Sequence, residues 1–282
     1  MARGSEMGRG RVEGSVAEQQ RPATAVRRAI ARVGRDNVIR ILTFVGLMLI
    51  WEGISRVVRP IIFTSPGRAM DAFRKMVEDG SLLLAWQQTL FVLVTALTIA
   101  AVLGVTCGIL LGRYRTASDL LEPELNAIFM TPRIALIPII TLWLGFGDGA
   151  KILVVFLFSF FDIFFTVRNG VRTIDAEYVE VSRAYCVSER TMLQKVVLPA
   201  SIPFVITGLR LGLLHGMVGV VLVGFFLENN GIGGLIFEAG TDFRVPFLFA
   251  SLLTVMLVGV VMNQALRRLE LRAAPWRAES AS

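Results

Sequence analysis

From Gly80 to Gly112 the chain carries no charged residue. A helix needs ~20 apolar residues to cross the ~30 Å hydrocarbon core of a bilayer. The stretch therefore predicts a membrane helix over about Gln87–Leu111, with length to spare for tilt. Composition agrees: 54% of the 282 residues are hydrophobic and only 18% are charged, an oilier balance than soluble domains show.

Five further spans are predicted. Val38–Val58 comes first and has Arg40, Glu52 and Arg56 in or near it. Ile134–Phe146 is short and interrupted by Pro138, and membranes tolerate such a break where neighbours resatisfy the freed carbonyl. Ile152–Val167 encloses Asp162. Pro203–Leu227 carries Arg210 and His215, and Val245–Leu266 ends at Arg267 and Arg268. In lipid only helices and closed barrels satisfy every backbone group, and these runs lack the alternation of barrel strands. The fold class is therefore all-α, a polytopic transmembrane bundle of about six spans over residues 37–272, with no convincing internal repeat. Residues 1–36, low in hydropathy and rich in Arg and Gly, are expected to form a disordered basic tail. Residues 273–282 are expected to form a second tail, and the first apolar run to be a retained helix rather than a cleaved leader.

The net charge is +7. The basic residues gather at the tails, at Arg113, Arg115 and Arg133, and from Arg168 to Lys195. The other loops are balanced or acidic. That is the positive-inside distribution, and it predicts cytoplasmic N- and C-termini in a multi-pass protein of the plasma or inner membrane. It also argues against nucleic acid as a partner, since no recognition motif accompanies the charge. Cys107 lies in an apolar span and Cys186 in a polar loop, so neither a disulfide nor a metal site is predicted, and a single histidine excludes a His-rich centre. The sequence has no phosphate-binding Gly-rich Lys-Ser/Thr loop, so no ATP hydrolysis and no cofactor are expected in this chain.

Between the fourth and fifth spans lies EYVEVSRAYCVSERTMLQKVVLP, Glu177–Pro199. Tyr178, Val181 and Tyr185 recur at helical spacing. Ser188 is placed to cap a second short helix, with Glu189 suited to its start and Lys195 to its end. Pro199 and Pro203 are expected to stop that helix before the fifth span. The result is a two-helix knob with a turn near Cys186. Such a knob docks a partner, lies along lipid headgroups, or forms a simple loop.

Glu180-Val-Ser-Arg-Ala-Tyr-Cys186, nine residues, then Val196-Val-Leu198-Pro199 resembles the EAA signature of permease subunits of binding-protein-dependent ABC importers: Glu-Ala-Ala, three residues, Gly, nine residues, Ile, one residue, Leu-Pro. Thr131–Lys151, Leu198–Gly216, Gly231–Ile236 and Thr64–Phe73 are similar to segments of the nitrate/sulfonate/taurine branch, so the likeness covers roughly 38–277. It implies a type I importer permease in which segment 175–200 forms a coupling helix seated on an ATPase subunit. Glu180, Ser182, Ala184, Tyr185 and Cys186 would carry the contact, with Leu198 and Pro199 anchoring the return to the membrane. It also implies a pair of ATP-binding subunits holding ATP-Mg, an extracytoplasmic substrate-binding protein, a second copy of this chain, and a small solute such as nitrate, a sulfonate or taurine. The chain departs from the pattern at four places. Val181 and Ser182 replace the two alanines and Cys186 the glycine. Gly224 stands where the branch has a glutamate before its last external loop, and Asp162 where it often has a proline. Asp162, Arg210 and His215 are the candidate substrate-path residues, because ionisable groups inside a bilayer are costly. A secondary transporter driven by an ion gradient is the alternative, for it too uses broken helices and midplane charges.

Overall fold

The computed structural model describes residues 21–174, 185–227 and 231–273, and among these there is no strand. The chain divides into two units, residues 1–66 and 67–282. The first unit holds helix α1 (Arg21–Val57). The Trp51 indole of this helix donates to the carbonyl of Thr64, beyond the C-terminus, at 2.8 Å and folds the following loop back on the helix. Residues 21–36 are helical, within the segment expected to be disordered. The run TAVRRAIARV is rich in alanine and arginine, which are strong helix formers despite low hydropathy.

The second unit opens with α2 (Pro66–Glu78), which buries Ala69, Ala72 and Met76 on one face. Gly80, at φ 74°, then turns the chain, and the Ser81 amide donates to Asp79 Oδ1 at 2.9 Å. The Ser81 hydroxyl, and after it that amide, hold the Asp79 carboxyl below the usual carboxylate range. Then come α3 (Ser81–Arg113), α4 (Arg115–Met130), a 3-10 turn over Arg133–Leu136, and α5 (Ile137–Leu144). The long helix α6 (Asp148–Arg172) follows. After it come the single turn α7 (Glu189–Met192), a π turn over Leu193–Val197, and α8 (Leu198–Phe226). Helices α9 (Gly231–Thr241) and α10 (Val245–Ala273) complete the unit.

Helix α3 lies along α6 through a stripe of glycines. A Cβ at Gly104 would sit 3.0 Å from Ile163, one at Gly108 2.9 Å from Val167, and one at Gly112 2.7 Å from Val171. Both series ascend together, so the two helices run parallel. Small residues at this spacing let backbones approach in lipid, where the hydrophobic effect supplies no drive to associate. Helix α8 covers the other side of α6 in the opposite direction, with Gly212 against Ile163 and Gly216 against Ser159. The Ser159 hydroxyl donates to the Gly212 carbonyl at 2.9 Å. At the start of α3 the Trp86 indole donates to Thr254 of α10 at 3.2 Å.

Parallel α3 and α6 force the intervening chain to return across the bundle. It does so as a bent pair, α4 and the Arg133–Leu144 segment meeting at 85°. At 1.5 Å per residue α5 covers only ~12 Å, too short to cross alone. Among the described residues five helices are long and apolar enough to span a membrane, six if the bent pair is counted as one span. The expected span at 134–146 is thus half of a two-helix crossing. Helix α9 was not predicted. Its first amides donate to side chains of α3, Gly231 to Gln88 Oε1 at 3.0 Å and Ile232 to Thr89 Oγ1 at 2.9 Å.

Replacing Gly108 by leucine should cost about 1–3 kcal/mol by overpacking, read as a lowered Tm of the detergent-solubilised chain. Gly259→Ala, at a position with nothing near its added Cβ, should leave Tm unchanged.

Candidate functional site

Two groups of residues carry the functional argument: the segment entering α8 and a polar cluster within the bundle. Of the predicted coupling residues, Glu180, Ser182 and Ala184 lie outside the described residues, while Tyr185, Cys186, Leu198 and Pro199 lie within them. Tyr185 is 80% exposed. Cys186 follows at φ 50°, the left-handed conformation that a glycine adopts without cost and an L-residue does not. The turn expected near Cys186 is therefore present. Ser188 caps α7 as expected, its hydroxyl accepting from the Thr191 amide at 3.3 Å.

The prolines do not stop the helix. Glu189–Phe226 forms one continuous helical path into the bundle. A proline ring collides with the carbonyl four residues earlier in α geometry. For Pro199 that carbonyl belongs to Lys195, inside the π turn Leu193–Val197, whose wider winding gives the ring room. The segment is thereby joined to α8 without a hinge.

Arginines tie the same end of the bundle together. Arg113, the last residue of α3, donates to both carboxylate oxygens of Glu189, at 2.9 and 3.0 Å. Arg168 donates to Ser118 at 2.9 Å and pairs with Glu122. Arg172 donates to Ser118 at 2.8 Å and to Asp119 at 3.3 Å. These links join the ends of α3 and α6 to α7 and α4. In the sequence they read only as positive-inside charge, because each acid partner is tens of residues away.

The polar cluster centres on Asp162, in the middle of α6 and 11% exposed. His215 Nδ1 of α8 lies 3.0 Å from its Oδ2. Arg133 Nη1 donates to the same oxygen at 3.2 Å and to the Phe158 carbonyl at 2.9 Å. The Arg133 guanidinium also lies over the rings of Phe129 and Phe158, at 5.1 and 5.7 Å, a favourable placement for a desolvated cation. Sequence reasoning assigned Arg133 to a loop at the inner surface. Instead, the elbow between α4 and α5 carries it into the bundle, where it neutralises Asp162. Asp162 and His215 are thus brought together, and the imidazole side chain stays 50% exposed. Arg210 belongs to a different contact, its guanidinium pairing with Glu270 of α10.

At Gly224 the departure from the branch pattern has a steric counterpart. A Cβ there would lie 2.5 Å from the Gly233 backbone. Helices α8 and α9 therefore touch main chain to main chain, and a glutamate at 224 has no room in this arrangement.

Residues 100–274 match the family of binding-protein-dependent transport system inner membrane components, and the chain belongs to that family. It is an ABC-importer permease of the inner membrane. A Bacillus subtilis permease protein named for aliphatic sulfonates transport is 28% identical over 90% of this chain and 93% of its own length. The taurine transport system permease protein of Escherichia coli is 24% identical over 88% and 92%. The bicarbonate transport system permease protein of Synechococcus elongatus is 28% identical over 77% and 81%. In fold, the chain superposes on a chain of the inward-facing MetNI methionine ABC transporter with a TM-score of 0.60 at 18% identity, covering 66% of this chain and 93% of the other.

Cys186→Gly should raise stability by about 1 kcal/mol by relieving the left-handed backbone, seen as a higher Tm. Asp162→Ala should lower stability by about 3–5 kcal/mol, because it strands the Arg133 charge inside the bundle. Chemical unfolding of the two proteins in the same detergent checks both directions.

Proposed function

We propose that this chain is the membrane subunit of an ATP-driven importer for a small anion, in the range of nitrate, sulfonates and taurine. Two copies form the translocation path, a pair of ATP-binding subunits sits beneath them, and an extracytoplasmic binding protein delivers solute from the other face. Both termini and segment 175–200 face the cytoplasm. Glu180, Ser182, Ala184, Tyr185 and Cys186 meet the ATPase, and nucleotide-driven closure moves the segment. The observation that carries this reading is the unbroken run from Glu189 through the π turn into α8. A displacement at the surface then reaches the membrane interior without loss in a hinge. The Arg113–Glu189 contact supports the same reading, since it passes that displacement to α3 as well. Asp162 and His215 form a polar patch beside the path, and Arg210 with Glu270 holds α8 against α10.

The test is coupled transport in vesicles containing the complete complex. Glu180→Lys should leave the chain in the membrane with ATPase bound but reduce ATP-dependent uptake at least about tenfold, an energetic loss of ~1.4 kcal/mol or more. Full uptake by that variant contradicts the assignment. Asp162→Asn, which keeps a hydrogen-bond acceptor but removes the charge, should slow uptake while preserving assembly. Unchanged uptake removes Asp162 from the path.

A further inference from the structure

A cavity of about 180 Å³ lies at the end of the bundle away from Tyr185–Val197, between the turn at Asp79–Ser81, α9 and the start of α10. At ~30 Å³ per water it has room for about six waters. That is below the range of sites for whole small molecules and close to the bulk of one long side chain. Met76 and Leu235 give it an apolar wall, and Asp79, Glu238, Arg244 and Ser251 give it a polar one. The Arg244 guanidinium lies over the Phe247 ring at 4.6 Å. It comes no nearer to Glu238 than 3.5 Å, and both side chains are about half exposed, so this ion pair holds weakly. Asp79 stays ionised, because the Ser81 hydroxyl and then the Ser81 amide hold its carboxyl low. Two carboxylates thus share one guanidinium, and one negative charge is left over. Ser251, also in the wall, is fully buried, and its hydroxyl oxygen has no hydrogen-bond partner among the described residues. A buried polar atom left in that condition is unfavourable. Two carboxylates and a hydroxyl in a narrow, partly apolar space match an ammonium on an alkyl stem, which brings three N–H donors on a run of methylenes.

We propose that this cavity is a socket for one lysine side chain of the extracytoplasmic binding protein. Asp79 and Glu238 receive the ammonium, the Ser251 hydroxyl is its third acceptor, and the methylenes lie along Met76 and Leu235. Arg244 gives up Glu238 as the lysine enters. The inference rests on the importer reading above, which turns this end of the bundle outward, and adds to it the place and the chemistry by which the binding protein is held.

The test measures the affinity of the importer's own binding protein, fluorescently labelled, for the complete complex in lipid nanodiscs without ATP. Asp79→Asn and Glu238→Gln should each weaken docking at least about tenfold, and the wild-type affinity should fall as salt rises. Arg244→Gln removes the competing cation and should tighten docking about threefold. Asp242→Asn, which removes an acid of the same turn outside the cavity, should stay within about twofold of wild type. A measurement on the unaltered complex accompanies these: carbodiimide, which joins a carboxylate to an amine in contact with it, should link Asp79 or Glu238 to a lysine of the binding protein, as read by mass spectrometry of the peptides. Wild-type affinity in Asp79→Asn and Glu238→Gln overturns the proposal. So does weaker docking in Arg244→Gln, an Asp242→Asn effect as large as that of Glu238→Gln, or cross-links confined to other acids. Any of these leaves the importer reading standing if coupled uptake behaves as expected, whereas a wild-type complex that docks no binding protein overturns both.

Discussion

The unit spanning 67–282 depends on how closely two backbones approach along Gly104, Gly108 and Gly112. In water, burial of side chains would hold helices together over a range of spacings. In lipid, chain and solvent are equally apolar, and association comes from contact itself. Three glycines facing Ile163, Val167 and Val171 give α3 and α6 that contact and also fix their direction. Once the pair is parallel, the chain between them must recross the membrane, and the elbow of α4 and α5 follows. The elbow in turn delivers Arg133 to Asp162. A packing choice on one helix face thereby determines which charges meet in the interior.

The parts of the fold governed by local rules were legible in the sequence. The uncharged run before Arg113 gave α3, and Ser188 followed by Glu189 gave the start of α7. Parts governed by distant partners were not. Arg133, Arg168 and Arg172 look alike as loop charges, and only tertiary structure pairs them with Asp162, Glu122 and Asp119. Helix α9 was hidden because its glycines read as a loop, whereas they serve close packing on α8. The break expected at Pro199 failed because it presumes α winding before the proline. Cys186 is the reverse case, for the sequence placed a turn there and the structure shows it left-handed, which the residue type would not suggest.

The polar groups divide by end. Near the entry to α8, arginines pair with acids on other helices and make that end a single braced platform. At the far end, side chains of α3 hold the start of α9 by two hydrogen bonds, and a cavity remains beside them. Between the two, Arg133 and His215 lie against Asp162, so this carboxylate is paired within the bundle.

The winding at Leu193–Val197 has a consequence of scale. Thirty-eight residues from Glu189 to Phe226 make one rod, ~57 Å long at 1.5 Å per residue. Pivoted at one tip, such a rod swings the other through ~5 Å for each 5° of tilt, by the same length. A hinge at Pro199 would have absorbed most of that arc. The wide turn preserves it, so small rotations at one surface of the bilayer become ångström-scale travel at the other.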